Sequence, residues 1–165
     1  MIRFVLLFGV VIGLFHVLAA TPFAEERAWP AYLRLNARVS AGLLQLAGQE
    51  ATVDDRVVSG PGSSLLIERG CDAVHPSVLF IAAVLASPVA LWTKWLGILI
   101  GTVVLMAINV VRIVSLYFIQ RHVPSLFELM HVEVWQALFI FLAVLFWAVW
   151  AIWARGRSLG DHAAA

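Results

Sequence analysis

Cys71, Arg112 and His131 place a thiol, a guanidinium and an imidazole on three separate stretches of one chain. Together they suit acyl transfer through sulfur: the thiol attacks a carbonyl, the imidazole moves protons and the guanidinium meets negative charge. Cys71 is the only cysteine, which excludes an internal disulfide, a CxxC redox pair and a cysteine zinc site. A lone thiol is ordinarily inert packing. The stretch ERGCDAVHP (residues 68–76) argues for more. Asp72 is a capping type and Pro76 suits the first turn of a helix, so Cys71 stands beside a helix start. That position predicts a reactive thiol with a lowered pKa, opposed by the like charge of Asp72. His75, one turn beyond on the same face, rivals His131 as acid/base.

These groups must be held by membrane helices. The 165 residues are 62% hydrophobic and 13% charged, against about 45–50% and about 25% in soluble domains. The expected fold is an all-α polytopic membrane protein with about four spans: Phe4–Ala20, Val74–Leu91, Leu96–Ile119 and Val132–Ala154. The first also fits a secretory signal peptide, but Leu18 is a poor residue before a cleavage point and an uncleaved span is favoured. Arg112 is the only formally charged residue between Trp95 and Gln120. An intramembrane Arg is costly and by default functional, and this one lies about 24 Å along its helix, towards the outer leaflet. Asn109 and Ser115 extend its polar stripe. Gly97 and Gly101 form a G-x-x-x-G on the same span. Arg112 also fits snorkelling or a structural pair with Glu128 or Glu133.

Between the first two spans, Tyr32, Leu35, Val39, Leu43 and Leu46 recur at helical spacing within Ala31–Gln49. This predicts an amphipathic helix, either flat in the membrane interface or packed on the spans. RVVSGPGSSLLIER then predicts a short β-hairpin leading to Cys71. Arg3, Lys94, Arg155 and Arg157 collect on one side, which puts both termini in the cytoplasm. The expected organisation is an N-terminal span (1–20), an outward loop (21–70), a three-helix catalytic core (71–154) and a cytoplasmic tail (155–165). A net charge of +1 without a basic cluster argues against a nucleic-acid partner. The five His are scattered with no H-x-x-x-H pair, so no metal and no cofactor is expected.

Cys71 at the start of a span, NVVRI (Asn109–Ile113) in the next and His131 opening the last resemble the exosortase/archaeosortase family, most of all its compact exosortase H type. The resemblance covers roughly residues 65–154. It implies Cys71, Arg112 and His131 as catalytic residues, with Asn109 orienting Arg112 or substrate. The activity implied is cysteine transpeptidation at the outer face of a bacterial inner membrane. The implied substrates are secreted proteins with a C-terminal motif, a transmembrane helix and a basic tail; the acceptor is water, a lipid or a glycan. The family pattern has Gly two residues after the Cys, where this chain has Ala73, a residue expected to fit a helix start. Two other classes compete. A non-enzymatic assembly or export subunit would use Arg112 structurally, and a small anion transporter would need polar residues along a whole pore, which the apolar cytoplasmic halves of the spans lack. Ser59, Ser63 and Ser64 lie in a turn region without the partners a serine protease needs.

Overall fold

A computed structural model describes the backbone of residues 2–163 and the side chains of residues 2–157, so the end of the expected tail lies outside the described residues. Among the described residues three helical runs are long and apolar enough to cross a bilayer. They are α1 (Ile2–Ala19), α4 (Leu91–His122) and the run Pro124–Arg157, whose regular part belongs to α5 (Trp135–Ala163). The second expected span is shorter than its apolar sequence. Helix α3 covers Val74–Ala86, 13 residues, or about 20 Å. Pro88 pushes the residue before it out of the helical region, and Ser87 is extended at φ −67°, ψ 137°. A non-helical Ser87–Ala90 link leads into α4, where Trp92 and Trp95 are exposed, as suits aromatic residues at an interface.

Two apolar cores share α4. In the first, Phe80 and Val84 of α3 meet Leu105 of α4 and Phe139, Ala143 and Trp150 of α5. The glycines of the G-x-x-x-G give room to aromatic rings here. A methyl on Gly101 would enter the Phe80 ring, and one on Gly97 the Trp150 indole, whose Nε1 donates to the Thr93 carbonyl at 3.1 Å. Gly101→Val is therefore expected to destabilise the bundle by about 2–3 kcal/mol through overpacking. A lower melting temperature in detergent would register it, with Gly9→Val, where nothing lies within 4 Å, as the unaffected control.

The second core sits on the Cys71 end of the bundle. It joins Leu33, Ala37 and Leu44 of α2 (Trp29–Leu46) to Val58, Leu65, Ile113, Leu116 and Tyr117. Helix α2 packs along α4. Tyr32 Oη lies against Met106 Sδ, Asn109 Nδ2 donates to Asn36 Oδ1 at 3.1 Å, and Arg121 donates to Gln49. The face turned inward is not the one whose Leu and Val residues recur at helical spacing. Ala37, Ser40 and Ala41 are small enough for close approach and are buried, whereas Leu35, Val39, Leu43 and Leu46 are exposed.

The expected hairpin is present as β2 (Val57–Gly60) and β3 (Ser63–Leu66), preceded by a further strand, β1 (Thr52–Asp54). The sheet is antiparallel in the order β1-β2-β3. Asp55 at φ 49° and Gly62 at φ 78° turn the chain between strands. From Ile67 the backbone descends to Gly70 and Cys71, and α3 starts three residues later.

Candidate active site

Three elements bring the expected catalytic trio together. The loop before α3 carries Cys71, α4 carries Arg112, and a π-helical turn (Leu129–Val134) leading into α5 carries His131. Cys71 Sγ lies 3.5 Å from both Nδ1 and Nε2 of His131, so a small ring rotation offers either nitrogen to the thiol. The Phe127 ring stacks on the imidazole at 5.5 Å between centroids. No carboxylate hydrogen-bonds that imidazole among the described residues. Arg112 braces the pair from below: Nη1 donates to the Gly70 carbonyl at 3.0 Å and Nη2 to the His131 carbonyl at 3.1 Å. Its guanidinium lies 5.6 Å from the Phe139 ring centroid, and Nε is buried without a hydrogen-bond partner among the described residues. Arg112 makes no ion pair with Glu128 or Glu133 among the described residues.

The thiol is buried, 7% exposed, contrary to the open, reactive setting expected at a helix start. The helix start is used by Asp72, whose Oδ1 accepts the Val74 N–H at 3.1 Å while Oδ2 accepts the Trp29 indole N–H at 2.9 Å. Burial pushes the Cys71 thiol above its ordinary pKa; the nearby Arg112 charge pulls the other way and Asp72 adds to the rise. The expected lowering is thereby overturned. A thiol of raised pKa is mostly protonated at neutral pH, and its thiolate fraction grows with pH. Alkylation of Cys71 by iodoacetamide should thus accelerate about tenfold per pH unit from pH 7 upward. A rate already level at pH 7 would mean a depressed pKa.

The remaining expected residues sit elsewhere. His75 turns away from Cys71: its ring lies 5.9 Å from Phe15 and 6.3 Å from His16 on α1. It lines a separate cavity of about 120 Å³ with Asp72, Arg112 and Phe139. Asn109 is wholly buried and ties α4 to α2 through Asn36 rather than bonding Arg112. Ser115 Oγ donates to the Arg112 carbonyl within α4. Ala73 is left-handed at φ 53°, not at a helical φ as expected. Only Gly adopts that region without strain, so the glycine of the family pattern has a backbone reason, and this chain carries about 1 kcal/mol of strain in its place.

Trp29 and Tyr32 were not legible as site residues. Tyr32 Oη donates to the Asp72 carbonyl at 2.6 Å, so both fix Asp72, and neither belongs to a motif. The π-helical turn under His131 is a further surprise, since such widened turns leave no sequence signal and recur at functional sites.

A cavity of about 400 Å³ opens over Cys71 and His131, walled by β3 on one side and by Gln120, Phe127 and Glu128 on the other. Against known families, residues 3–148 match the family model described as Transmembrane exosortase (Exosortase_EpsH). The chain belongs to the transmembrane exosortase family. No curated protein and no solved structure matches it. For an exosortase the match is informative in its extent: it runs from residue 3 of α1 through α2 and on to residue 148, and so includes the Cys, Asn-x-x-Arg and His positions.

Proposed function

We propose that this exosortase is a membrane-embedded cysteine transpeptidase or peptidase that cleaves C-terminal sorting signals of secreted proteins through a thioester. The observation that carries the reading is the 3.5 Å approach of Cys71 Sγ to the His131 ring, with Arg112 tying the backbone of both segments together. His131 takes the thiol proton, which the raised pKa of Cys71 makes necessary at neutral pH. The thiolate attacks the scissile carbonyl, and the oxyanion gains from the adjacent guanidinium. Collapse breaks the C–N bond, the imidazolium protonates the departing amine, and Cys71 keeps the acyl group as a thioester. Water, a lipid or a glycan then attacks that carbonyl with His131 as base and releases the thiol. The proposed setting is a bacterial inner membrane, with both termini cytoplasmic and the cavity on the outer face. The proposed substrates carry a C-terminal motif, a transmembrane helix and a basic tail.

Hydroxylamine tests the thioester directly. Membranes holding the enzyme and a tagged substrate are incubated with it, and the new C-terminus is analysed by mass spectrometry. A hydroxamate there marks a captured acyl-enzyme. Free acid alone at saturating hydroxylamine would sink the scheme. The two carbonyl bonds of Arg112 equally suit a structural subunit without activity; that reading expects no hydroxamate and no free acid.

A further inference from the structure

The strand that walls the cavity has an unpaired edge, and its hydrogen-bond parity is readable. In an antiparallel ladder, opposite residues alternate between pairs that exchange both backbone bonds and pairs whose N–H and C=O point away from each other. The Ile67 N–H donates to the Arg56 carbonyl at 3.0 Å. In the register Val57↔Leu66, Val58↔Leu65, Ser59↔Ser64, Gly60↔Ser63, this makes Leu65 and Ser63 the residues bonded to β2. Ser64 and Leu66 therefore aim their amides and carbonyls away from the sheet. The same parity follows from the Asp54↔Val57 closure of the first turn, which directs Val57 towards β1, and the Ser59 and Ser64 hydroxyls approach to 3.3 Å, as side chains do in a non-bonded pair. Among the described residues no strand covers β3, which ends the order β1-β2-β3. Ser64 and Leu66 are both exposed and both line the cavity that contains Cys71 and His131.

Exposed edges are normally blunted by shortness, a Lys, a Pro or a bulge, and four residues of β3 leave room for only a short added strand. Ser63–Leu66 carries neither residue, and its register is uninterrupted. We propose that the free edge of β3 is a peptide-binding site, at which an extended substrate segment adds as a fourth strand and is led to the Cys71 thiol. Recognition of this kind draws affinity from main-chain bonds and selectivity from alternate side chains. The direction follows from depth along α4. Ser63 Oγ contacts Tyr117 and Gln120, whereas Gly70 is bonded by Arg112, five to eight residues lower and so about 8–12 Å nearer the bilayer. Strand β3 thus descends towards the membrane from N to C. A substrate whose transmembrane helix follows its motif descends likewise, so the added strand is parallel. That direction, unlike the edge itself, rests on the function proposed above.

The test is covalent labelling of the intact protein in detergent micelles, which needs the Cys71 thiol but no turnover. Three chloromethyl ketones are compared with chloroacetone: acetyl-Ala-Thr-Val-Ala-chloromethyl ketone and two versions N-methylated at alternate residues. The thiolate displaces chloride to give a thioether in each case. The unmethylated peptide is expected to label Cys71 at least about tenfold faster than chloroacetone, since each main-chain hydrogen bond contributes about 1 kcal/mol. One alternate N-methyl set should fall back to the chloroacetone rate and the other should not. Leu66→Pro removes an outward amide without touching the β2 bonds, and should abolish the peptide advantage while leaving iodoacetamide labelling unchanged. Equal rates for peptide and chloroacetone, or indifference to both methylation patterns, would overturn the edge. If Leu66→Pro alters iodoacetamide labelling, the methylation comparison on the unaltered protein decides alone. Because hydroxylamine capture reads turnover and this labelling reads docking, the failure of one is distinct from the failure of the other.

Discussion

Cys71→Ala is expected to abolish removal of the substrate tail, a loss of about 10⁴-fold or more, because a missing nucleophile leaves only binding and charge stabilisation. The fold should survive. Cys71 is small, and trimming its sulfur from the second core costs about 1 kcal/mol, well below the loss for a large side chain. Comparison on a gel, at equal accumulation of both proteins, measures the effect. Cys71→Ser should be nearly as inactive, since a buried hydroxyl gives up its proton to His131 far less readily than a thiol. Equal tail removal by wild type and Cys71→Ala would end the thiol mechanism. An inert wild type beside an inert variant would favour the structural subunit.

Arg112→Lys should be almost as damaging, with a fall of about 10²–10³-fold, the scale expected when a reacting group is misplaced by about 1 Å. The guanidinium spans from the Gly70 carbonyl to the His131 carbonyl. An ammonium is a point charge that cannot hold that fork. A buried carbonyl left without a donor costs about 1–3 kcal/mol, so the melting temperature should drop as well. The Lys variant separates position from charge. It keeps the cation, so iodoacetamide should still reach a comparable thiolate while peptide cleavage fails. Arg112→Met loses both. Full cleavage by Arg112→Lys would show that charge alone matters.

The trio was legible because each member is expensive or singular: one Cys in the chain, one Arg inside a span, one His at the mouth of another. What periodicity cannot supply is the identity of the neighbour. Asn109 sits on the same stripe as Arg112, but that stripe also faces α2, and its amide meets Asn36 instead. His75 shares a helical turn with the Cys71 loop, but the left-handed Ala73 between them rotates α3 so that His75 faces α1. Helix α2 misled for a different reason. It is apolar on two opposed faces, and side-chain size rather than hydrophobicity decided which one packs. The stop of α3 at Ser87, by contrast, could have been read from Pro88.

The brevity of α3 is made good within the bundle. Its 13 residues are about 10 Å too short for a hydrocarbon layer of about 30 Å, yet α3 packs against α1, α4 and α5 and leaves only His75 and Leu79 exposed. At its far end the buried Ser87 Oγ accepts the Trp147 indole N–H at 3.2 Å, and Lys94 Nζ donates to the Leu85 carbonyl at 2.7 Å. Neighbouring helices thus serve as the solvent for the shortest one, and the polar groups where it stops are met by protein side chains.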